Sequence, residues 1–264
     1  MSDTATPTIF PRFAGKSVLV TGAGTGFGAE IAVRAAKEGA RVGVHYNSSR
    51  AGAERTVERI EESGGEAALF QANIDTWDVI KKLATEVFDH FGGLDVLINN
   101  VGDVATEQMS WKELTQEALD RVIDVDLKGT LLCVHEFGSR MLEQGHGAIV
   151  NIGSTVIVRG SARAPQYAAA KYGIVGVTKS YAAAFAPNVR VNTFAPGFME
   201  TGATLEREDW KNGRREKLLS MTPLAQIPAP EVVAGTALFL ATEDASHITG
   251  VYLLADGGYN MVGA

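Results

Sequence analysis

The sequence predicts an α/β fold: a doubly wound parallel sheet in a single domain. Three observations predict it. Short β-branched runs alternate with helical patterns of a dozen or more residues, the spacing that parallel strands and crossover helices require. At 264 residues, 45% apolar and 21% charged, the chain can bury one large core. No internal repeat, low-complexity tract or Pro/Ser-rich linker divides it.

The elements follow in order. After an N-terminal extension (residues 1–15), the domain runs from 16 to 264. "SVLV" (17–20) precedes a helical pattern at 28–39, and "RVGVHY" (41–46) precedes another at 50–65. "AALF" (67–70) leads to a helix at 78–93. "LDVLINN" (94–100) leads to one long pattern from Trp111 to about Gln144. "GAIVNIG" (147–153) leads to a small-residue helix, and "VRVNTF" (189–194) to a charged stretch at 205–219. A helical pattern at 230–241 and the run "VYLL" (251–254) close the chain. In such sheets the ligand sits beyond the carboxyl ends of the strands, where strand order reverses. Chemistry is therefore sought just after each strand run.

The first such position reads "TGAGTGFG", Thr21 to Gly28, and opens directly into a helix. Glycines let the backbone approach a pyrophosphate, and free N–H groups at a helix start attract its charge. The strand–turn–helix context points to a Rossmann-type dinucleotide site. The second strand ends in Tyr46, Asn47, Ser48, Ser49 and Arg50, with no acid from Gly39 to Ala53. An acid there would bond a ribose 2′-hydroxyl, whereas hydroxyls, an amide and a guanidinium suit a 2′-phosphate. The expected cofactor is NADP(H) rather than NAD(H). Asn47-Ser48-Ser49 also reads as a helix N-cap.

In the small-residue helix, Tyr167 and Lys171 lie four apart and share one face. Taken alone, they read as an ordinary surface pair. Their neighbours change that reading. The glycines Gly22, Gly26 and Gly28 follow T-G-x-x-x-G-x-G, and "NNVG" (99–102), "NIGS" ending at Ser154, "PGFMET" (196–201) and "ITG...DGG" (248–258) recur in order. Together these resemble the short-chain dehydrogenases/reductases, in the single-domain branch that includes 3-oxoacyl-carrier-protein reductases. The resemblance runs from about Lys16 to Tyr259 and includes the thirteen-residue spacing from Ser154 to Tyr167.

The resemblance implies hydride transfer between NADP(H) and a carbonyl or secondary alcohol. Tyr167 would be the general acid/base, Ser154 would hold the substrate oxygen, and Lys171 would lower the tyrosine pKa and bond the nicotinamide ribose. A free tyrosine titrates near ~10, so a nearby cation is needed at neutral pH. Implied cofactor contacts are Gly22, Thr25, Gly26, Phe27 and Gly28; Tyr46, Asn47, Ser48 and Ser49; Asn73 and Ile74; Asn100 and Gly102; Tyr167 and Lys171; and Pro196, Gly197, Met199 and Thr201. Asp126 stands in "VDLKG" where the family has asparagine. It is expected to act through its main-chain carbonyl, as a tolerated near-isostere, although its carboxylate could instead pair with Lys171. Asn73 replaces a common aspartate at the adenine. A substrate-closing loop falls at about 198–224, with its charged run 206–217 read as a solvated lid helix and Phe198, Leu205, Trp210 and Met221 as lining. Asp103, at the pocket mouth, carries the weaker reading of an attractor for cations. A sensor or scaffold without turnover, or a dehydratase or isomerase, would use the same motifs.

The rest of the sequence excludes other classes. A net charge of −7 argues against nucleic acid, and no apolar run is long enough for a membrane span. One cysteine, Cys133, and five scattered histidines make no metal pattern and suit a cytoplasmic protein. The N-terminus has no signal-peptide layout. The family habit and the apolar C-terminal end imply a homotetramer.

Overall fold

Seven strand runs pair in parallel because each of the first six is followed by helix that carries the chain back across the sheet. The computed structural model describes residues 10–102 and 110–261. Strands β1 (Ser17–Val20), β2 (Arg41–Tyr46), β3 (Glu66–Gln71), β4 (Val96–Asn99), β5 (Gly147–Ile152), β6 (Val189–Pro196) and β7 (Tyr252–Ala255) form one sheet. Their order is β3-β2-β1-β4-β5-β6-β7, with Val18 in register with both Val42 and Val96. Strand order reverses between β1 and β4.

The helices are α1 (Gly26–Lys37), α2 (Arg50–Glu62), α3 (Trp77–Phe91), α4 (Gln116–Val122), α5 (Thr130–Gln144), α6 (Val156–Arg159), α7 (Pro165–Phe185), α8 (Gly202–Leu205), α9 (Arg215–Met221) and α10 (Pro230–Phe239). Successive strand side chains point to opposite faces, so each strand feeds two cores. Val18 and Val20 pack with Ile31 of α1 and Leu238 of α10, while Leu19 packs with Ile80 of α3 and Phe137 of α5 on the other side. Phe13, upstream of β1, is 2% exposed and joins the first core. Among the described residues no helix is long and apolar enough to cross a membrane.

Two long helical patterns are interrupted. Between Trp111 and Gln144 a short turn at Trp111–Glu113 and α4 are each started by a side-chain cap, from Ser110 and Thr115. Capping hydroxyls end one helix and begin another, which breaks the expected single run. A π-helical turn, Ile123–Gly129, then joins α4 to α5. The charged stretch is likewise not one lid helix. It consists of α8, a turn at Trp210–Arg214 and α9, with a kink at Asn212 and at Gly213, whose φ is 93°. Glycine tolerates that left-handed conformation, and the helix breaks there.

Candidate active site

A cleft of about 830 Å³ opens beyond the carboxyl ends of the strands, over the β1/β4 reversal. One end is the glycine turn. Gly22 and Gly26 have φ of 65° and 58°, and a Cβ on Gly26 would meet nothing within 4 Å, so bare backbone faces the cleft. Gly28 does not line it. A Cβ there would collide with the Asn100 side chain and the Gly22 carbonyl, so this glycine seats α1 against the turn. The first turn of α1 has no acid and Thr25 makes no capping bond, which leaves its N–H groups for an anion.

Side chains brace the turn from behind. The Asn100 side-chain amide nitrogen donates to the Thr21 and Gly22 carbonyls at 3.0 and 3.2 Å. The Gly22 N–H donates to His45 Nδ1 at 3.2 Å, and His45 Nε2 lies 3.1 Å from the Ala72 carbonyl. The two bonds select the Nε2–H tautomer. Burial lowers the His45 pKa to about 4, against the raising effect of the Ala72 bond, so the ring is neutral near pH 7. Nothing in the sequence distinguished this histidine from the other four.

The adenosine end of the cleft is lined by Tyr46, Asn47, Ser48, Ser49, Asn73 and Ile74. Ser49 occupies the N-cap position of α2, but its hydroxyl makes no capping bond. Arg50 departs from expectation: its guanidinium is held by Glu54 at 2.8 Å and it does not line the cleft. The Asn73 amide is shared between Asn47, at 3.3 Å, and Asp75, at 2.6 Å. The bare glycine backbone, the acid-free helix start and the uncapped serines fit a phosphorylated dinucleotide.

At the other end Ser154, Tyr167 and Lys171 line the cleft together. Tyr167 and Lys171 are only 5% and 4% exposed, so they are not a surface pair. The Lys171 ammonium lies 5.5 Å from the Tyr167 ring centroid and donates to the Ile152 carbonyl at 3.3 Å. Ser154 is 8% exposed, its Oγ accepting from the Val156 N–H at 3.3 Å. The Tyr252 hydroxyl donates to the Ser154 carbonyl at 2.6 Å, tying β7 to the end of β5. Burial, then Asp256 and Tyr172, raise the Tyr252 pKa.

Asp126 corrects an expectation. Its side chain is fully buried and Oδ1 lies 3.1 Å from Lys171 Nζ, an ion pair by distance that lacks hydrogen-bond alignment. Its main-chain carbonyl accepts the Thr130 hydroxyl at 2.9 Å. The π turn brings the carboxylate inward to Lys171, the alternative to a role through the main-chain carbonyl alone. Gly102 closes over the pair: a Cβ there would lie 2.9 Å from Asp126 Oδ1 and 3.3 Å from Lys171 Nζ.

Pro196, Gly197, Met199 and Thr201 line the same end, as do Phe198 and Trp210. Thr201 also caps α8, accepting the Thr204 N–H at 3.1 Å. Leu205 and Met221 do not reach the cleft; Leu205 is turned outward at 45% exposed. Arg207 and Arg214 do reach it, although the charged run read as a solvated face. Asp103 lies outside the described residues.

A glycine turn at a strand reversal beside a buried Tyr–Lys pair defines a class: nucleotide-dependent α/β proteins equipped for proton-coupled chemistry. Known proteins narrow the class. A family model described as enoyl-(acyl carrier protein) reductase matches residues 22–260. A 3-oxoacyl-[acyl-carrier-protein] reductase, FabG, from Staphylococcus aureus is 38% identical over 93% of this chain and 98% of its own. Another from Thermotoga maritima is 36% identical, over 94% and 98%. The solved structure of a protein described as a short-chain alcohol dehydrogenase from Sinorhizobium meliloti superposes with a TM-score of 0.88 at 30% identity, covering 96% and 98%. The chain belongs to the short-chain dehydrogenase/reductase family. It is an oxidoreductase of that family.

Proposed function

We propose that the cleft reduces a carbonyl, or oxidises the matching secondary alcohol, with Tyr167 as the proton-transfer residue. The observation that carries this reading is the lining of one cleft by Ser154, Tyr167 and Lys171 together with the glycine turn. Gly22, Gly26, Ser48, Ser49 and Thr201 would hold the cofactor, which supplies or accepts the hydride when bound. In reduction Tyr167 gives its phenolic proton to the substrate oxygen. Ser154 Oγ donates a hydrogen bond to that oxygen and stabilises charge developing on it. The Lys171 ammonium favours the phenolate left behind, and solvent restores the proton. In oxidation Tyr167 acts as base. Consumption of NADPH by a panel of ketones and aldehydes tests the reading. Failure of every carbonyl and every alcohol partner would favour a cofactor-binding scaffold.

The segment from about 198 to 224 serves in this reading as the substrate-closing loop, and residues 1–15 as an extension of the catalytic domain. A homotetramer is proposed, because the chain exposes Trp111, Leu119 and Leu131 around α4 and α5. Sedimentation at micromolar concentration checks it; a monomeric mass would end the idea. A cytoplasmic enzyme is also proposed, with Cys133 kept as a thiol whose pKa burial pushes up to about 12. Cell fractionation tests that assignment. The net charge of −7 supports small-molecule rather than nucleic-acid partners.

A further inference from the structure

The end of β5 brings Ser154 to the cleft on three backbone bonds. The Gly153 N–H donates to the Phe194 carbonyl of β6 at 2.7 Å. Lys171 holds the Ile152 carbonyl at 3.3 Å. The Ser154 carbonyl accepts the Tyr252 hydroxyl at 2.6 Å, well within the range of an O–H···O bond. The first two bonds come from the adjacent strand and from the proposed proton machinery. The third comes from β7, at the edge of the sheet, and Tyr252 does not line the cleft.

Tyr252 reaches Ser154 across a whole strand. It stands in register with Thr193 of β6, and β6 separates β7 from β5. A serine or threonine at 252 would end short of the Ser154 carbonyl. The route is open because residue 153 is glycine. A Cβ there would lie 2.7 Å from Thr193 Cγ2 and 3.4 Å from the Tyr252 ring. Burial, then Asp256 and Tyr172, raise the Tyr252 pKa, so the hydroxyl keeps the proton that it donates.

The serine side chain is set by the same peptide. Its Oγ accepts the Val156 N–H at 3.3 Å. A serine hydroxyl has one hydrogen and two acceptor sites, so this bond leaves the O–H for a substrate oxygen. The other donor to the Ser154 carbonyl is the Ile157 N–H at 3.4 Å, a long bond into the four-residue α6. The phenol makes the shorter bond and fixes the peptide.

We propose that Tyr252 is a positioning residue for the reaction, its hydroxyl holding the Ser154 peptide so that Oγ meets the substrate oxygen as charge develops there. This rests on the proposed role of Ser154 and adds a residue that stands outside the cleft. Loss of that hydroxyl leaves substrate and cofactor binding in place. It weakens the one bond that strengthens in the transition state.

The test is a double-mutant cycle in the full chain, read with NADPH and the panel carbonyl that turns over fastest. Tyr252→Phe keeps the ring beside Gly153 and removes only the hydroxyl. It is expected to lower kcat about tenfold, with KM and the NADPH dissociation constant changing by less than about twofold. Ser154→Ala is expected to lower kcat by roughly 10²–10³. Adding Tyr252→Phe to Ser154→Ala should cost less than about twofold more, because the hydroxyl being positioned is gone. A tyrosine that only supported the fold would cost the same factor in both backgrounds, and that additivity overturns the proposal. So does an unchanged kcat in Tyr252→Phe beside a Ser154→Ala that has lost turnover. A rise in the NADPH dissociation constant as large as the loss in kcat overturns it too, by making the bond a general support. Normal turnover in Ser154→Ala removes the serine's role, and the positioning role falls with it. If no carbonyl or alcohol reacts with the unaltered protein, the proposed chemistry fails first and takes this inference with it.

Discussion

The two halves of the cleft are built differently. Around the glycine turn, position is set by backbone conformation and by uncharged hydrogen bonds from Thr21, His45 and Asn100. Around the lid, position is set by ion pairs among Arg163, Arg207, Asp209 and Arg214, by a kinked turn, and by a tryptophan with an unpaired donor. A turn held by backbone geometry has one arrangement, as a ligand common to many reactions requires. A charged lid can change its ligand by exchanging one side chain. Tyr167, Lys171 and Asp126 share the lid's end of the cleft, yet they are held by the seam of α7 against the π turn rather than by either device.

The largest effect should come from breaking this seam. Tyr167→Phe removes the proton donor and is expected to lower kcat by roughly 10²–10⁴ while NADPH affinity changes less than twofold. Near-normal turnover would take the proton role from Tyr167.

The glycine side is tested next by pH. Burial holds the His45 pKa at about 4 in the folded chain, below its ordinary 6.5. The unfolded chain therefore takes up the proton first. This histidine's contribution is fully present above pH 6.5 and falls away as pH drops towards 4, by roughly 3 kcal/mol in all. Urea unfolding of the native protein and of His45→Gln across this window should show a steeper pH slope in the native chain. Parallel slopes would contradict the buried neutral ring.

A smaller change is expected at the adenosine end. Tyr46→Asp places a carboxylate at the end of β2 and should lower the preference for NADPH over NADH by about tenfold, read from the two dissociation constants. Equal binding of both cofactors by the unaltered protein would defeat the phosphate assignment.

The smallest effect lies in the ion pair. Asp126 offsets the Lys171 charge that favours the Tyr167 phenolate. Asp126→Asn should therefore move the pH profile of alcohol oxidation towards acid by up to about one unit, equivalent to roughly 1.4 kcal/mol. Superimposable profiles would mean that the carboxylate does not reach the proton chemistry.

The same division separates what the sequence disclosed from what it hid. The parallel strands and their helices were legible because periodicity encodes them locally, the glycine turn because of its strand–turn–helix setting, and the Ser154–Tyr167–Lys171 cluster only through the family resemblance. The direction of the Asp126 carboxylate stayed open between two readings, because a π turn decides which way it points and no residue type announces such a turn. Arg207 and Arg214 looked like solvent-facing charges in a helix. Their inward placement depends on a break at Asn212 and Gly213 that a run rich in helix formers conceals. His45 stayed ambiguous because its two partners, Gly22 and Ala72, come from separate crossovers.

The turn at Ile123–Gly129 has a consequence for how this enzyme could diverge. A π turn is an α-helix with one residue inserted, and each residue advances a helix by about 100°. Deleting a single residue there would swing Asp126 away from Lys171 while keeping every side chain of the site. The lysine's neighbour is thus written in chain length as well as in residue identity, and a scan of substitutions alone would never sample that change.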